Sequence, residues 1–331
     1  MPLLLSESDV KAILTMPMTL ELVEASFQRL AEGKAILQYR QRLFVPGKCV
    51  VNHMAGADVT TGYMGLKIYS IGKDAARFIV TLFQASSGEL VSILEADYLG
   101  QMRTGAASGV ATKFMARQDA RIAAIIGTGL QARTQLEAIA PVRKLESIRA
   151  FGRNPERRES FAREMTARLG VPVTPAGSAE EAVRGAHIVI TCTTSKEPVL
   201  EGRWLEQGMH INAVGVNQAQ KRELDAEAVL RCDFIAADSR EQSKIESGDL
   251  IHAFGSDASR WNTVQEFADV VAGKIPGRKS PDQITLFKSN GVTTEDIVVA
   301  GRIYELARQR GIGREVPMWQ QEARPVVERG I

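Results

Sequence analysis

The chain has 331 residues, and 41 Lys plus Arg against 39 Asp plus Glu leave a formal charge of +2, too small to draw a nucleic acid or an anionic membrane electrostatically. Hydrophobic residues at 44% and charged residues at 24% are ordinary globular usage, which excludes disorder as a global description, and the length suits two domains. Cys49, Cys192 and Cys232 are too few and too widely spaced for a disulfide framework or a zinc knuckle, so no metal is expected and a reducing cytoplasm is the simplest compartment.

In chain order, the start MPLLLSESD has no basic lead and no cleavage pattern, so it is not read as a signal peptide. No window approaches roughly 18 uninterrupted apolar residues, so no membrane span is expected. Ser6 with Asp9 forms a capping box for a short helix; Thr19 is expected to cap a second, with Leu20, Val23, Phe27 and Leu30 on one face and Gly33 after its end. From Arg40 to Val91, short β-rich runs (RLFV, CVVNHM, GLKIYSI, RFIVTLF) predict an antiparallel sheet, with Ser87-Gly88 at one turn. Residues 97–117 have helical length and a load of Gly, Ala and Ser that lets backbones approach closely. The texture then becomes an alternation of apolar strands and helices, beginning near residue 118. SIRAF is a strand, Asn154 caps and Pro155 opens a helix that Gly170 closes, Ser178 and Glu181 form another capping box, and HIVITC, HINAVG and DFIAAD are strands. A last helix covers 294–310. The fold class is therefore α/β, a doubly wound parallel sheet joined to a smaller α+β unit.

The strand Ile122 to Ile126 runs into Gly127, Thr128, Gly129, Leu130, Gln131 and Ala132. Gly127 permits a tight turn, Gly129 lets backbone approach a pyrophosphate, and Ala132 lets helix pack on strand. An NAD-type site places a carboxylate at the end of the second strand. Here that position is Gly152, followed by Arg153, Asn154, Arg157 and Arg158, which suits a 2'-phosphate, so NADP(H) is preferred and NAD(H) possible. Thr191, Thr193 and Thr194 follow the fourth strand and Val214 and Gly215 the fifth, in the crevice beyond the strand ends.

The ordered stretches GLKIYSI, QMRTGAASGVATKFMAR, IIGTGLQAR, HIVITCTTSKEPVL, HINAVGVNQAQKRELD and FKSNGVTTED resemble the ornithine cyclodeaminase and mu-crystallin family over essentially the full length. The resemblance implies a substrate-binding and dimerisation domain (1–117 plus 312–331) around a Rossmann domain (118–311), a homodimer, and a small imino- or amino-acid substrate. It also implies that Arg42 and Arg103 hold the substrate carboxylate and that Lys67 lies near the reacting nitrogen. His53 falls about where cyclodeaminases recognise a distal amine with a carboxylate.

One departure carries the functional reading. Cyclodeaminases and alanine dehydrogenases of this family have a catalytic aspartate two residues after the glycine of AVG, and here Asn217 stands there. An amide cannot take the proton that oxidation of an ammonium group must release. The expectation is NAD(P)H-dependent reduction of a small cyclic 2-imino acid, such as 1-pyrroline-2-carboxylate or 1-piperideine-2-carboxylate, with Lys67 and Asn217 acting at its nitrogen. The alternatives are an amino-acid dehydrogenase or cyclodeaminase with another base, and a non-catalytic NADPH-dependent ligand-binding protein of the crystallin type.

Overall fold

The computed structural model describes residues 1–318; residues 319–331 of the expected C-terminal tail lie outside them. Two eight-stranded sheets organise the chain. The first is a meander of antiparallel strands, chiefly Cys49–Asp58, Tyr63–Ile71, Ala76–Gln84 and Leu90–Glu95, flanked by Gln41–Val45 and Ala35–Leu37. The leucine run at the N-terminus, Leu3–Leu5, pairs parallel to Leu90–Glu95, and Arg314–Glu315 closes that edge antiparallel to it.

The second sheet is wholly parallel, in the order Val173–Pro175, Ser147–Phe151, Ile122–Ile126, Ile188–Thr191, His210–Ala213, Thr285–Lys288, Phe234–Ala237, Gln265–Glu266. Its central strands are almost wholly buried and mostly apolar, as covering both faces requires, with His210 and Asn212 the buried polar exceptions in His210–Ala213. The strand order reverses between Ile122–Ile126 and Ile188–Thr191, which opens a crevice at their C-terminal ends.

Local chemistry explains most boundaries. Ser6 and Asp9 cap reciprocally, Asn154 accepts from Arg157 N at 2.8 Å ahead of Pro155–Leu169, and Gly170 and Gly311 end their helices in the left-handed conformation. The box at Ser178 is only half made, because the Glu181 carboxylate turns to Gly177 N. The second helix starts earlier than expected, at Met16; Pro17 fits its first turn, and Thr19 is interior, its hydroxyl donating to the Thr15 carbonyl oxygen at 2.7 Å.

Two helices join the sheets. Asp97–Met115 is nearly all buried, and a Cβ on Gly105 would lie 2.4 Å from the Thr134 carbonyl oxygen of the helix Leu130–Ile139. Thr293–Arg310 lies on the inner face of the first sheet, where a Cβ on Gly65 would come within 2.9 Å of Ile297. Among the described residues no helix is long and apolar enough to cross a membrane. Gly105→Ala is expected to destabilise the protein by about 1–3 kcal/mol through this overpacking, seen as a lower Tm in thermal denaturation. An unchanged Tm would mean that the two helices do not meet there.

Candidate active site

The turn after Ile122–Ile126 is built around two different glycines. Gly127 has φ 115°, and a Cβ on it would lie 2.5 Å from the Cys192 carbonyl oxygen, so only glycine fits. Thr128 follows, and a Cβ on Gly129 would meet nothing within 4 Å, so the backbone is open to a ligand. No side chain caps the helix that begins with Leu130, Gln131 and Ala132. Its amides and dipole favour an anion, and together with the open glycine they fit the pyrophosphate of a dinucleotide. Ala132 is in the core behind.

A cleft of about 680 Å³ runs from this turn past Gly152, Arg153, Asn154 and Arg157. A Cβ on Gly152 would come 2.5 Å from Thr128 Oγ1, so the phosphate turn itself crowds out the carboxylate of an NAD-type site. Arg158 is occupied, lying over the Phe151 ring and donating to the Gly152 carbonyl oxygen at 3.1 Å, whereas Arg153 and Arg157 border the cleft. Thr193 and Thr194 form its far wall. Thr191 does not reach it: fully buried, it donates its hydroxyl to Glu223 at 3.0 Å.

At Gly129, Cys192, Thr193 and Thr194 this cleft meets another of about 400 Å³, bordered also by Val214, Gly215 and Asn217. Lys67 and Arg103 enter it from the core, with side chains 3% and 8% exposed. The helix Thr293–Arg310 holds both from behind. Asp296 accepts from Lys67 Nζ at 2.7 Å and from Arg103 Nε at 3.1 Å, and Glu295 accepts from Arg103 Nη1 at 2.8 Å. Burial, reinforced by the Arg103 charge, pushes the Lys67 ammonium down to about 8, and burial pushes Glu295 up to about 8. Lys67 can thus exchange its proton only slightly above neutrality.

Arg40, absent from the sequence reading, joins them. Its Nη2 donates to the Asn290 and Gly291 carbonyl oxygens, and its Nη1 to Glu246. Arg42 instead borders an adjoining pocket, donating to Glu246 and to the Asn217 carbonyl oxygen, both at 2.7 Å. Asn217 borders both spaces, its Nδ2 3.5 Å from the Asn290 carbonyl oxygen.

Register separates His53 from this group. Met54 pairs with Lys67 and His53 with Ile68, so by the pleat His53 lies on the opposite, outer face and is exposed. The residues of that strand on the site's face are Asn52 and Met54. Met54, Tyr69 and Phe78 give the cleft an uncharged wall, the last two stacked at 5.1 Å. Strand alternation from Lys67 would have pointed to Tyr69, and Asn290 lies in the stretch FKSNGVTTED without having been singled out there; Arg40 carried no sequence signal. Among the described residues, the charged side chains lining the cleft are Arg40, Lys67 and Arg103, with no carboxylate or histidine. Because Arg103→Met would leave Glu295 buried without its partner and Asp296 with Lys67 alone, it should cost about 3–5 kcal/mol, measurable by urea unfolding; a loss below about 1 kcal/mol would contradict this ion cluster.

The family model described as ornithine cyclodeaminase/mu-crystallin family matches residues 1–311. A Delta(1)-pyrroline-2-carboxylate reductase of Bacillus cereus is 36% identical over 247 residues, covering 74% of this chain and 76% of that protein. The solved Thermococcus litoralis Delta(1)-pyrroline-2-carboxylate reductase in complex with NADH and L-proline aligns with a TM-score of 0.91 at 36% identity, over 95% of this chain and 100% of that one. An archaeal alanine dehydrogenase dimer with bound NAD aligns with a TM-score of 0.89 at 29% identity, over 96% and 99%. With a family model matching residues 1–311 and relatives 36% identical over most of both chains, the chain belongs to the ornithine cyclodeaminase/mu-crystallin family.

Proposed function

We propose that this chain, an oxidoreductase acting on carbon–nitrogen bonds, reduces a small cyclic 2-imino acid of the 1-pyrroline-2-carboxylate or 1-piperideine-2-carboxylate type to the amino acid. The observation that carries the reading is the lining of the substrate cleft: cations with a proton donor, and no carboxylate that could serve as a base. Such a lining suits an anion that must gain a proton and disfavours a substrate that must lose one. The nicotinamide, when bound, supplies the hydride. Arg103 and Arg40 hold the substrate carboxylate, Arg103 through the edge of its fork that Glu295 and Asp296 leave open. Lys67 Nζ gives its proton to the substrate nitrogen as that nitrogen becomes an amine, and the Asn217 amide orients the nitrogen. Met54, Tyr69 and Phe78 accept an uncharged ring, in keeping with the relatives that act on pyrroline-2-carboxylate.

The cofactor reading is NADP(H), supported by the excluded carboxylate at Gly152 and by Arg153 and Arg157 at the cleft. A homodimer is supported by the outer face of the first sheet, where Leu43, Val51, Leu66, Ile68 and Ile79 surround His53 with no helix above them.

Reduced-cofactor absorbance with the two cyclic imines tests this directly. The expected result is rapid loss, faster with NADPH, and a rate that declines as pH rises through about 8 because Lys67 loses its proton. Lys67→Met should lower kcat about 100-fold or more and remove that alkaline limb, and Asn217→Asp should raise oxidation of the cyclic amino acid. No turnover of either imine would sink the reaction; a preference for NADH would sink the cofactor choice alone. For the oligomer, light scattering should give the mass of two chains, and Leu43→Glu with Ile79→Glu should give one. A monomeric wild type would refute the dimer.

A further inference from the structure

Glu223, in the segment KRELD, touches neither cleft but is bonded to the backbone on both sides of the place where they meet. It is fully buried. One carboxylate oxygen accepts from Thr193 N at 2.5 Å; the other accepts from Gly215 N at 2.8 Å and from the Thr191 hydroxyl at 3.0 Å. Thr193 and Gly215 are cleft-lining residues that follow two adjacent parallel strands, Ile188–Thr191 and His210–Ala213. The loops are in contact there: a Cβ on Gly215 would lie 2.4 Å from the Thr193 backbone and 2.6 Å from the Glu223 carboxylate.

The anchoring of Glu223 is equally complete. Its own N–H and that of Leu224 donate to Asp249 Oδ1 at 2.6 and 3.0 Å, and its carbonyl oxygen accepts from Val199 and Leu200. Asp249 in turn pairs at 2.9 Å with Lys288, a wholly buried lysine whose Nζ also donates to the Val216 carbonyl oxygen at 2.7 Å, next to Asn217. A buried carboxylate that costs this much desolvation and points only at loop donors has a task that packing alone would not require.

We propose that Glu223 is a positioning residue: its ionised carboxylate clasps the Thr193 and Gly215 loops at the separation that admits the cofactor. The inference rests on the cofactor-binding part of the function proposed above and is independent of the substrate. The Thr193 and Gly215 amides can only donate, so protonating the carboxyl weakens their acceptor and loosens those loops, whereas the Thr191 hydroxyl can turn to accept the new proton. Burial first, and then the Asp249 charge, push Glu223 up to about 7, while Lys288 pulls it down. The titratable and charged groups around it are Asp249 from the helix Gly248–Phe254, Lys288 from the strand Thr285–Lys288, and the half-buried Cys192 thiol between Thr191 and Thr193. The clasp is closed above neutrality and opens as pH falls.

The test is direct binding of NADH and NADPH to the full chain, followed by nicotinamide fluorescence across neutral pH without substrate. NADH has no 2'-phosphate, so its own titration does not intrude. Wild-type Kd should rise as pH falls through about 7. Glu223→Gln should bind about tenfold more weakly, with a Kd flat across that range. In turnover, its cofactor KM should rise far more than its kcat falls. Thr191→Val, which removes one donor and keeps the charge, should retain the pH dependence, and it serves as the informative variant if Glu223→Gln does not fold. A wild-type Kd constant with pH, or a folded Glu223→Gln with wild-type affinity, would overturn the clasp and leave the proposed function standing. Failure of the wild type to bind either cofactor would overturn both.

Discussion

Lys67 and Arg103 bring two positive charges into a packed interior, and the arrangement is tolerable only because Asp296 and Glu295 meet them there. Isolated buried charges cost several kcal/mol each, and a geometrically matched counter-charge with hydrogen bonds is what offsets that cost. The pairing fixes how the helix Thr293–Arg310 lies. It must present its first turn to the middle of the strand Tyr63–Ile71, at Lys67, and to the helix Asp97–Met115 at once. Gly65 and Gly301 allow it to do so, since a Cβ at either would collide with Ile297 or with Tyr63. That helix begins just after the parallel strand Thr285–Lys288, so the same ion cluster ties the C-terminal edge of one sheet to the inner face of the other. The substrate cleft is the space left between them.

The second constraint is distance. The helix Asp97–Met115 carries Arg103 and packs on the helix that starts at the phosphate turn, with Gly105 and Gly109 against the Thr134 and Ala138 carbonyl oxygens. Small residues therefore do more than fill a core: they set how far Arg103 stands from the Gly127–Gly129 turn, which is the kind of positioning on which the proposed hydride chemistry would depend. The chemistry is then decided by asymmetry. The carboxylates of the site stand behind the cations, bonded to them, and the cleft itself presents a guanidinium fork, an ammonium near neutrality and an amide. The proposed direction, proton delivery rather than proton removal, rests on Asn217 and on where these charges face.

The sequence by itself determined what depends on neighbours in the chain. Ser6–Asp9, Asn154–Pro155 with Gly170, and the apolar strand running into Gly127-Thr128-Gly129 were legible because caps, turns and a βα junction are made within a few residues. Arg103 and Lys67 were legible through ordered motifs, and both structure and family agree on the fold those motifs imply. What only the tertiary structure decided is which face a strand residue takes and what it meets across the chain. His53 and Met54 differ by one position, and a register set by strands on either side sends the histidine out and the methionine in. Arg40 and Arg42 share a face, yet Asn290 and Gly291, some 250 residues away in sequence, draw Arg40 to the substrate cleft while Asn217 draws Arg42 to its neighbour. Thr191 was expected in the crevice beyond its strand, and it instead donates to Glu223, a residue without a local signal, in a buried hydrogen bond behind the loops that line the clefts. Local chemistry is written in adjacent residues; burial, facing and charge partnership are properties of segments that meet only when the chain has folded.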